Sequence, residues 1–240
     1  MSALTIFILT LTVIFVSALI RATFGFGNAL IAMPLLVLLI GVKSASPLVA
    51  LSGLVISSLM LIQDWREMQW KETLLLLAAS LPGIPLGMAL LTCVPESLVR
   101  GILGLVLIGF GLFNLMGVQL PELPSRWLSI PFGLLAGILG GAYNTNGPPI
   151  IIYAFFRGWT KDQFRASLQG FFLISGLLIS AGHGLSGLWT REIFFQFLGS
   201  IPLVAVAVFL GGKIASRFSQ EIFNKVIYYF LILMGGLLFF

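Results

Sequence analysis

Charge is the scarcest ingredient of this chain. Of its 240 residues only 9% are charged while 59% are hydrophobic, against about 25% charged in typical soluble chains. A water-soluble domain cannot hide that much apolar surface, so the composition predicts an integral membrane protein with the lipid bilayer as its surroundings. Cysteine is nearly absent as well: Cys93 alone excludes an internal disulfide, and with no Cys or His nearby it is not half of a metal site. It reads as a packing residue at a helix end. His183 is the single histidine and lies near the outer end of an apolar run, where an interfacial role outweighs a proton shuttle. The eight acidic residues, Asp64, Glu67, Glu72, Glu96, Glu122, Asp162, Glu192 and Glu221, all fall at segment ends or in loops. No carboxylate is therefore expected at mid-membrane, which speaks against a buried proton relay and against a carboxylate-held cation. The same shortages leave the constellations of an intramembrane enzyme unfilled, so no catalytic residue, metal or cofactor is expected. A net charge of +5 would suggest nucleic acid for a soluble protein. Here the positive-inside bias explains it, and no nucleic-acid partner is expected.

What the chain does have is apolar length. Uncharged runs at 4–20, 45–62, 73–94, 101–118, 166–181, 193–211 and 226–240 are long enough to cross a hydrocarbon core of roughly 30 Å. The first run has no basic leader, and its first positive charge, Arg21, follows it; the run is expected to stay in place as a helix. The chain also repeats itself. "FGFGNALIAMPLL" (24–36) aligns with "LGGAYNTNGPPII" (139–151), matching Gly25 to Gly140 and Pro34 to Pro149. "LSGL" (51–54) then matches "LQGF" (168–171), Leu81 and Pro82 match Ile201 and Pro202, Gly87 matches Gly211, and Gly111 matches Gly235. The offsets drift only from 115 to 124 residues. One membrane domain, 1–240, is thus expected, built of repeats 1–117 and 126–240 joined by a linker at 118–125.

Each half holds about five membrane segments, eight to ten in total, giving an all-α polytopic fold. The segments after the glycine motifs, 30–40 and 150–156, are short for crossing helices, so each motif sits at a broken or re-entrant segment. An odd number of crossings per half inverts the second half against the first. Arg66, Lys71, Arg126, Arg157, Lys161, Arg165, Lys213, Arg217 and Lys225 fall on one side of that topology, and Lys43, Arg100 and Arg191 on the other. Nine against three predicts a cytoplasmic first side and outward-facing termini, in the cytoplasmic membrane.

Irregular backbone at membrane depth survives only where protein or a water-filled cavity satisfies it. Two such breaks at matched positions of an inverted repeat predict a central binding site. Gly25, Gly27, Gly140, Gly141 and Gly147 would let backbone approach a ligand. Pro148, Pro149 and Pro34 suit the opening of the following helix, whose free N–H groups favour an anion. Asn28, Asn144, Thr145 and Asn146 add neutral donors, and Tyr143 adds a hydroxyl and an aromatic wall. Small residues and asparagines also serve tight helix packing; the duplication favours a site. Arg21, four residues before Gly25, either partners an anion or snorkels to the cytoplasmic interface. Gln169 and its repeat mate Ser52 sit inside apolar spans, where a polar side chain faces inward. Trp65, Trp70, Trp127, Trp159 and Trp189 fall at segment ends as an interfacial belt.

The paired motifs carry a resemblance. "GGAYNTNGPPIIIY" followed by "FRASLQGFFLISG", with the "LPGIPLGMALLTCVPESLVRGILGLVLIGFGL" block of the first half, resembles the TauE/SafE sulfite exporter family, also called the toluene sulfonate uptake permease family. The first-half motif departs from the commoner glycine-glycine pattern by placing Phe26 between Gly25 and Gly27. The resemblance implies a secondary transporter that exports small sulfur-containing or organic anions such as sulfite or sulfonates. A passive anion channel is the alternative reading. Coupling to H+ or Na+, and a homodimer, are both compatible with the sequence.

Overall fold

Every backbone N–H and C=O that crosses lipid must be satisfied within the protein. The computed structural model describes residues 2–117, 121, 123, 125–214 and 220–239, with side chains for all but 63, 64 and 220–224. Among these residues the regular structure is entirely helical. Met1, Arg217, Phe240 and linker positions 118–120, 122 and 124 lie outside the described residues, as do the side chains of Asp64 and Glu221.

The helices are α1 (Ala3–Phe24), α2 (Asn28–Ile40), α3 (Val42–Asp64), α4 (Trp70–Ser80), α5 (Gly83–Cys93) and α6 (Glu96–Leu115), then α7 (Ser129–Tyr143), α8 (Gly147–Phe156), α9 (Lys161–Leu185), α10 (Arg191–Ile214) and α11 (Gln220–Leu237). α1, α3, α6, α9 and α10 are each long and apolar enough to cross a membrane, and α4 with α5 forms a sixth candidate bent by 43°. The bend falls at Leu81 and Pro82, where proline lacks the N–H that would continue the ladder. Pro202, its landmark partner, lies inside an unbroken α10. This is the all-α polytopic membrane protein that the composition predicts.

α2 and α8 are short, at 13 and 10 residues. At 1.5 Å per residue they reach about 20 and 15 Å, well under the roughly 30 Å of a hydrocarbon core. They begin at Asn28 and Gly147, a few residues earlier than the apolar count suggests. Pro148 and Pro149 do occupy the first turn of α8. Pro34 does not open a helix: it lies in the middle of α2, because Gly27, not the proline, turns the chain.

Burial sorts the helices into a centre and a lipid-facing shell. The spanning window of α3 is 61% buried and that of α9 50%, against 22% for α1 and 28% for α10. α3 and α9 pack against each other at the centre; α1 packs on α10, α5 on α7, and α6 on α11. Glycines make these crossings close. A Cβ on Gly87 of α5 would lie 2.1 Å from the Ile138 carbonyl of α7, and one on Gly211 of α10 would lie 2.6 Å from the Ala22 Cβ of α1. Gly104 and Gly235 likewise meet across the α6–α11 seam. In lipid, where water drives no helix association, such backbone contact is the main attraction between helices.

Two residues sit differently from their sequence readings. His183 is fully buried and its Nε2 is 3.1 Å from the Gly141 carbonyl, so it ties α9 to α7 instead of marking an interface. Cys93 ends α5 as expected but is exposed, so it is not a packing residue. Trp65, Trp70, Trp127 and Trp189 are exposed near helix ends, as belt residues are.

The glycine contacts give a test. Gly87→Ala, which forces backbone against backbone, should lower unfolding stability by about 1–3 kcal/mol. Gly109→Ala, which meets nothing within 4 Å, should not lower it, since alanine favours a helix interior over glycine; thermal unfolding in detergent measures both.

Candidate functional site

Two chain breaks meet beside the middle of the central helix pair. The first joins α1 to α2 through Gly25, Phe26 and Gly27, with φ of 89° at Gly25 and 105° at Gly27. These left-handed values suit glycine and strain any other residue. The second joins α7 to α8 through Asn144, Thr145 and Asn146, and Asn144 takes φ of 52°, which asparagine tolerates better than most residues. Each link closes the helix before it by a backbone bond: Gly25 N–H donates to the Arg21 carbonyl at 2.7 Å and Asn144 N–H to the Gly140 carbonyl at 2.8 Å.

Between the links lies a cavity of about 30 Å³, lined by both of them together with Arg21, Asn28, Gly53, Ile151, Phe172 and Gly176. Gly53 and Phe172 stand near the middle of α3 and α9, so the cavity sits at half the height of the bundle. That volume holds roughly one or two waters. It is smaller than a polyatomic anion occupies.

Arg21 is the charged group of the cavity, and it does not snorkel: it is only 5% exposed. Its guanidinium stacks on Phe172, 4.7 Å from the ring centre. Nη2 donates to Gln169 Oε1 at 2.7 Å and to Ser57 Oγ, and Gln169 Nε2 in turn donates to the Gly25 carbonyl at 2.7 Å. This brace ties α1, α3 and α9 and holds the glycine link. Arg21 Nε has no hydrogen-bond partner, and among the described residues no carboxylate lies within ion-pair distance of Arg21. A buried cation supported only by neutral groups is an unusual and costly arrangement.

Other donors face the same point. The Ser17 hydroxyl donates to Asn28 Oδ1 at 2.8 Å, which fixes the amide and leaves its Nδ2 buried without a partner. A Cβ built on Gly53 would lie 3.5 Å from Asn144 Nδ2, 3.7 Å from Arg21 Nη1 and 3.8 Å from Asn28 Nδ2. Three N–H donors thus surround a space that exists because residue 53 has no side chain. An anion seated over the bare Cα of residue 53 would face all three donors.

The remaining candidates divide. Gly27, Thr145, Asn146 and Gly147 line the cavity; Asn146 Nδ2 donates to Ser175 Oγ at 3.0 Å and Thr145 Oγ1 to the Tyr143 carbonyl at 3.0 Å. Gly25 contributes its carbonyl to Gln169, and Pro148 is buried in the first turn of α8. Tyr143 points elsewhere, donating to the Val99 carbonyl of α6 at 2.9 Å. Gly140 and Gly141 serve packing: a Cβ on Gly141 would lie 2.3 Å from the Ile84 carbonyl, and one on Gly140 would lie 2.8 Å from Ile179 Cδ1. The Ser52 hydroxyl is spent on the Leu48 carbonyl of its own helix at 2.9 Å. Sequence reasoning missed Gly53, Ser57, Ser17 and Phe172. Gly53 had a signal, since it stands inside the repeated "LSGL" landmark.

At the opposite end of α3 from Lys43, a polar lock joins α4 to the end of α8. Glu72 accepts from Arg157 Nε at 3.1 Å and from Arg157 Nη2, and from Trp159 Nε1 at 3.1 Å. Arg157 Nη1 also donates to the Leu123 carbonyl at 3.2 Å. The Glu72 bond raises the Arg157 guanidinium above its ordinary pKa, so the cation persists at any working pH. Glu72→Ala would leave Arg157, 14% exposed, without its anion. It should lower unfolding stability by about 1–3 kcal/mol, read by thermal unfolding at neutral pH.

Comparison with known proteins agrees with this architecture. Residues 9–238 match the family described as Sulfite exporter TauE/SafE. A curated relative, named "Probable sulfite/organosulfonate exporter TauE", from Cupriavidus necator, is 23% identical over 218 residues, covering 88% of this chain and 85% of its own. No solved structure matches the chain. With the family match extending over nearly the whole length, the chain belongs to the TauE/SafE sulfite exporter family.

Proposed function

We propose that this protein is a secondary transporter that exports a small sulfur-containing anion, sulfite or an organosulfonate, across the cytoplasmic membrane by alternating access. One observation carries the reading. Arg21 is buried at mid-height with no carboxylate in reach among the described residues, and a substrate anion is the counter-charge that such a site lacks. The unpartnered amide of Asn28 and the amide of Asn144 face the same space and supply donors without adding charge. The family match, and the printed name of the Cupriavidus necator relative, support sulfur anions as the class.

The packing supports two halves related by inversion, repeats 1–117 and 126–240, that rock about this site. α1 on α10 answers α7 on α5, while α3 meets α9 and α6 meets α11. The landmark mates Gly87 and Gly211 each hold one of the two matching crossings. The charge count supports a cytoplasmic side bearing Arg157 and Lys161, an outer side bearing Lys43 and Arg100, and outward termini. No catalytic step is part of this reading.

Proteoliposomes loaded with sulfite should show saturable uptake of external sulfite with counterflow. Gly53→Ala should fold normally, because its Cβ meets neighbours only at 3.5 Å and beyond. It should nevertheless cut sulfite transport at least tenfold by filling the anion's place. Arg21→Gln should abolish transport. Full activity in both variants, with the protein folded, would place the anion elsewhere. Non-saturating flux without counterflow would make the protein a channel.

A further inference from the structure

The cavity's charge inventory specifies the protonation state of what it takes. Arg21 supplies one positive charge, and every other polar partner there is neutral: Asn28, Asn144, Thr145, Asn146, Ser57 and Gln169. The helix ends do not alter this sum. Each break brings the C-terminus of one helix, α1 or α7, beside the N-terminus of the next, α2 or α8, so their partial charges of opposite sign offset.

Among the described residues no second ionised group lines the cavity. α2 has no titratable residue. On α3, Lys43 reaches the Thr92 carbonyl at the outer end. On α7 and α8, Tyr143 donates to the Val99 carbonyl and Tyr153 to Glu72. On α9, Lys161 and Asp162 lie in the first turn and His183 is held by the Gly141 carbonyl near the far end; Arg165 comes nearest, its Cγ 3.7 Å from where a Cβ on Gly25 would lie, but none of the four lines the cavity. On α10, packed against α1, Arg191 and Glu192 stand in the first turn and Lys213 in the last.

A monoanion in this cavity makes a neutral buried pair with Arg21. A dianion leaves a net negative charge at the centre of the bundle, at a desolvation cost of several kcal/mol. Resting on the transporter reading above, we infer that the site takes its substrate as a monoanion, so that sulfite crosses as bisulfite and an organosulfonate as its single sulfonate charge. The proton comes from water on the entry side, where SO₃²⁻ and H⁺ combine, and returns to water on the exit side when bisulfite ionises. One proton therefore moves with each sulfite, on the substrate itself, and no carboxylate relay is required. This accounts for a transporter whose mid-height cavity holds a fixed cation and no acidic side chain.

Equilibrium binding to the purified protein in detergent separates the outcomes, using sulfite, methanesulfonate and sulfate between about pH 6 and pH 8. Bisulfite ionises near neutral pH, methanesulfonate stays a monoanion throughout, and sulfate stays a dianion. The apparent Kd for total sulfite should rise about tenfold across that range, in step with the loss of bisulfite, while the Kd for methanesulfonate stays constant. Sulfate should bind at least tenfold more weakly than methanesulfonate. A sulfite Kd that is flat or falls with pH, or sulfate binding equal to methanesulfonate, overturns the monoanion inference and leaves the transporter reading standing. A parallel rise for sulfite and methanesulfonate assigns the titration to the protein and also overturns it. Binding of none of the three by folded protein overturns the transporter reading itself.

Discussion

Burying a guanidinium in a low-dielectric interior costs several kcal/mol unless an opposite charge is buried with it. Arg21 is buried here against Phe172, Ser57 and Gln169, and these neutral partners recover only part of that cost. The rest of the site follows from this imbalance. Gln169 both holds Arg21 and pins the Gly25 carbonyl, so the cation and the first chain break are one unit. Gly53 keeps open the space that the cation, Asn28 and Asn144 surround. On the transporter reading an anion would complete the cluster, and a site that is complete only when occupied can couple occupancy to a change of shape.

Such a change needs interfaces that slide or rock without losing backbone satisfaction. Close glycine crossings at Gly87, Gly211 and Gly235 provide smooth surfaces between helices. The chain breaks at 25–27 and 144–146 leave α2 and α8 as short, separate bodies. The Glu72–Arg157 lock, far from the cavity, joins α4 to the end of α8. It therefore links one half of the sequence to a short helix of the other.

Much of this was legible before any coordinates. Nearly charge-free runs define membrane helices by length alone, and the duplicated glycine motifs mark where the backbone breaks, because local chemistry dictates both. The contents of the site were harder. Asn144 and Asn146 stand in the second break, and Asn28 opens the helix after the first, so all three were found there. Gly53 and Ser57 lie on a helix with no local irregularity, and their role arises only because α3 passes α1 and α9 at that height. Tyr143, Gly140 and Gly141 share the motif with the asparagines, yet helical rotation turns them toward α6, α9 and α5. Ser52 is one residue from Gly53 and about 100° away around the helix, which is enough to spend its hydroxyl on its own backbone. Arg21 could not be placed by sequence, since a cation near a helix end snorkels or pairs according to what surrounds it.

The central claim is a location: an anion at mid-height, above Gly53, between Arg21, Asn28 and Asn144. The most direct measurement is anomalous scattering from crystals of the protein soaked in selenite, a heavier relative of sulfite in shape and charge. The account predicts a selenium peak in contact with Arg21 Nη1 and the two amide nitrogens, with the cavity opened around it. A peak elsewhere in the bundle, or a cavity holding only water at saturating selenite, would contradict it.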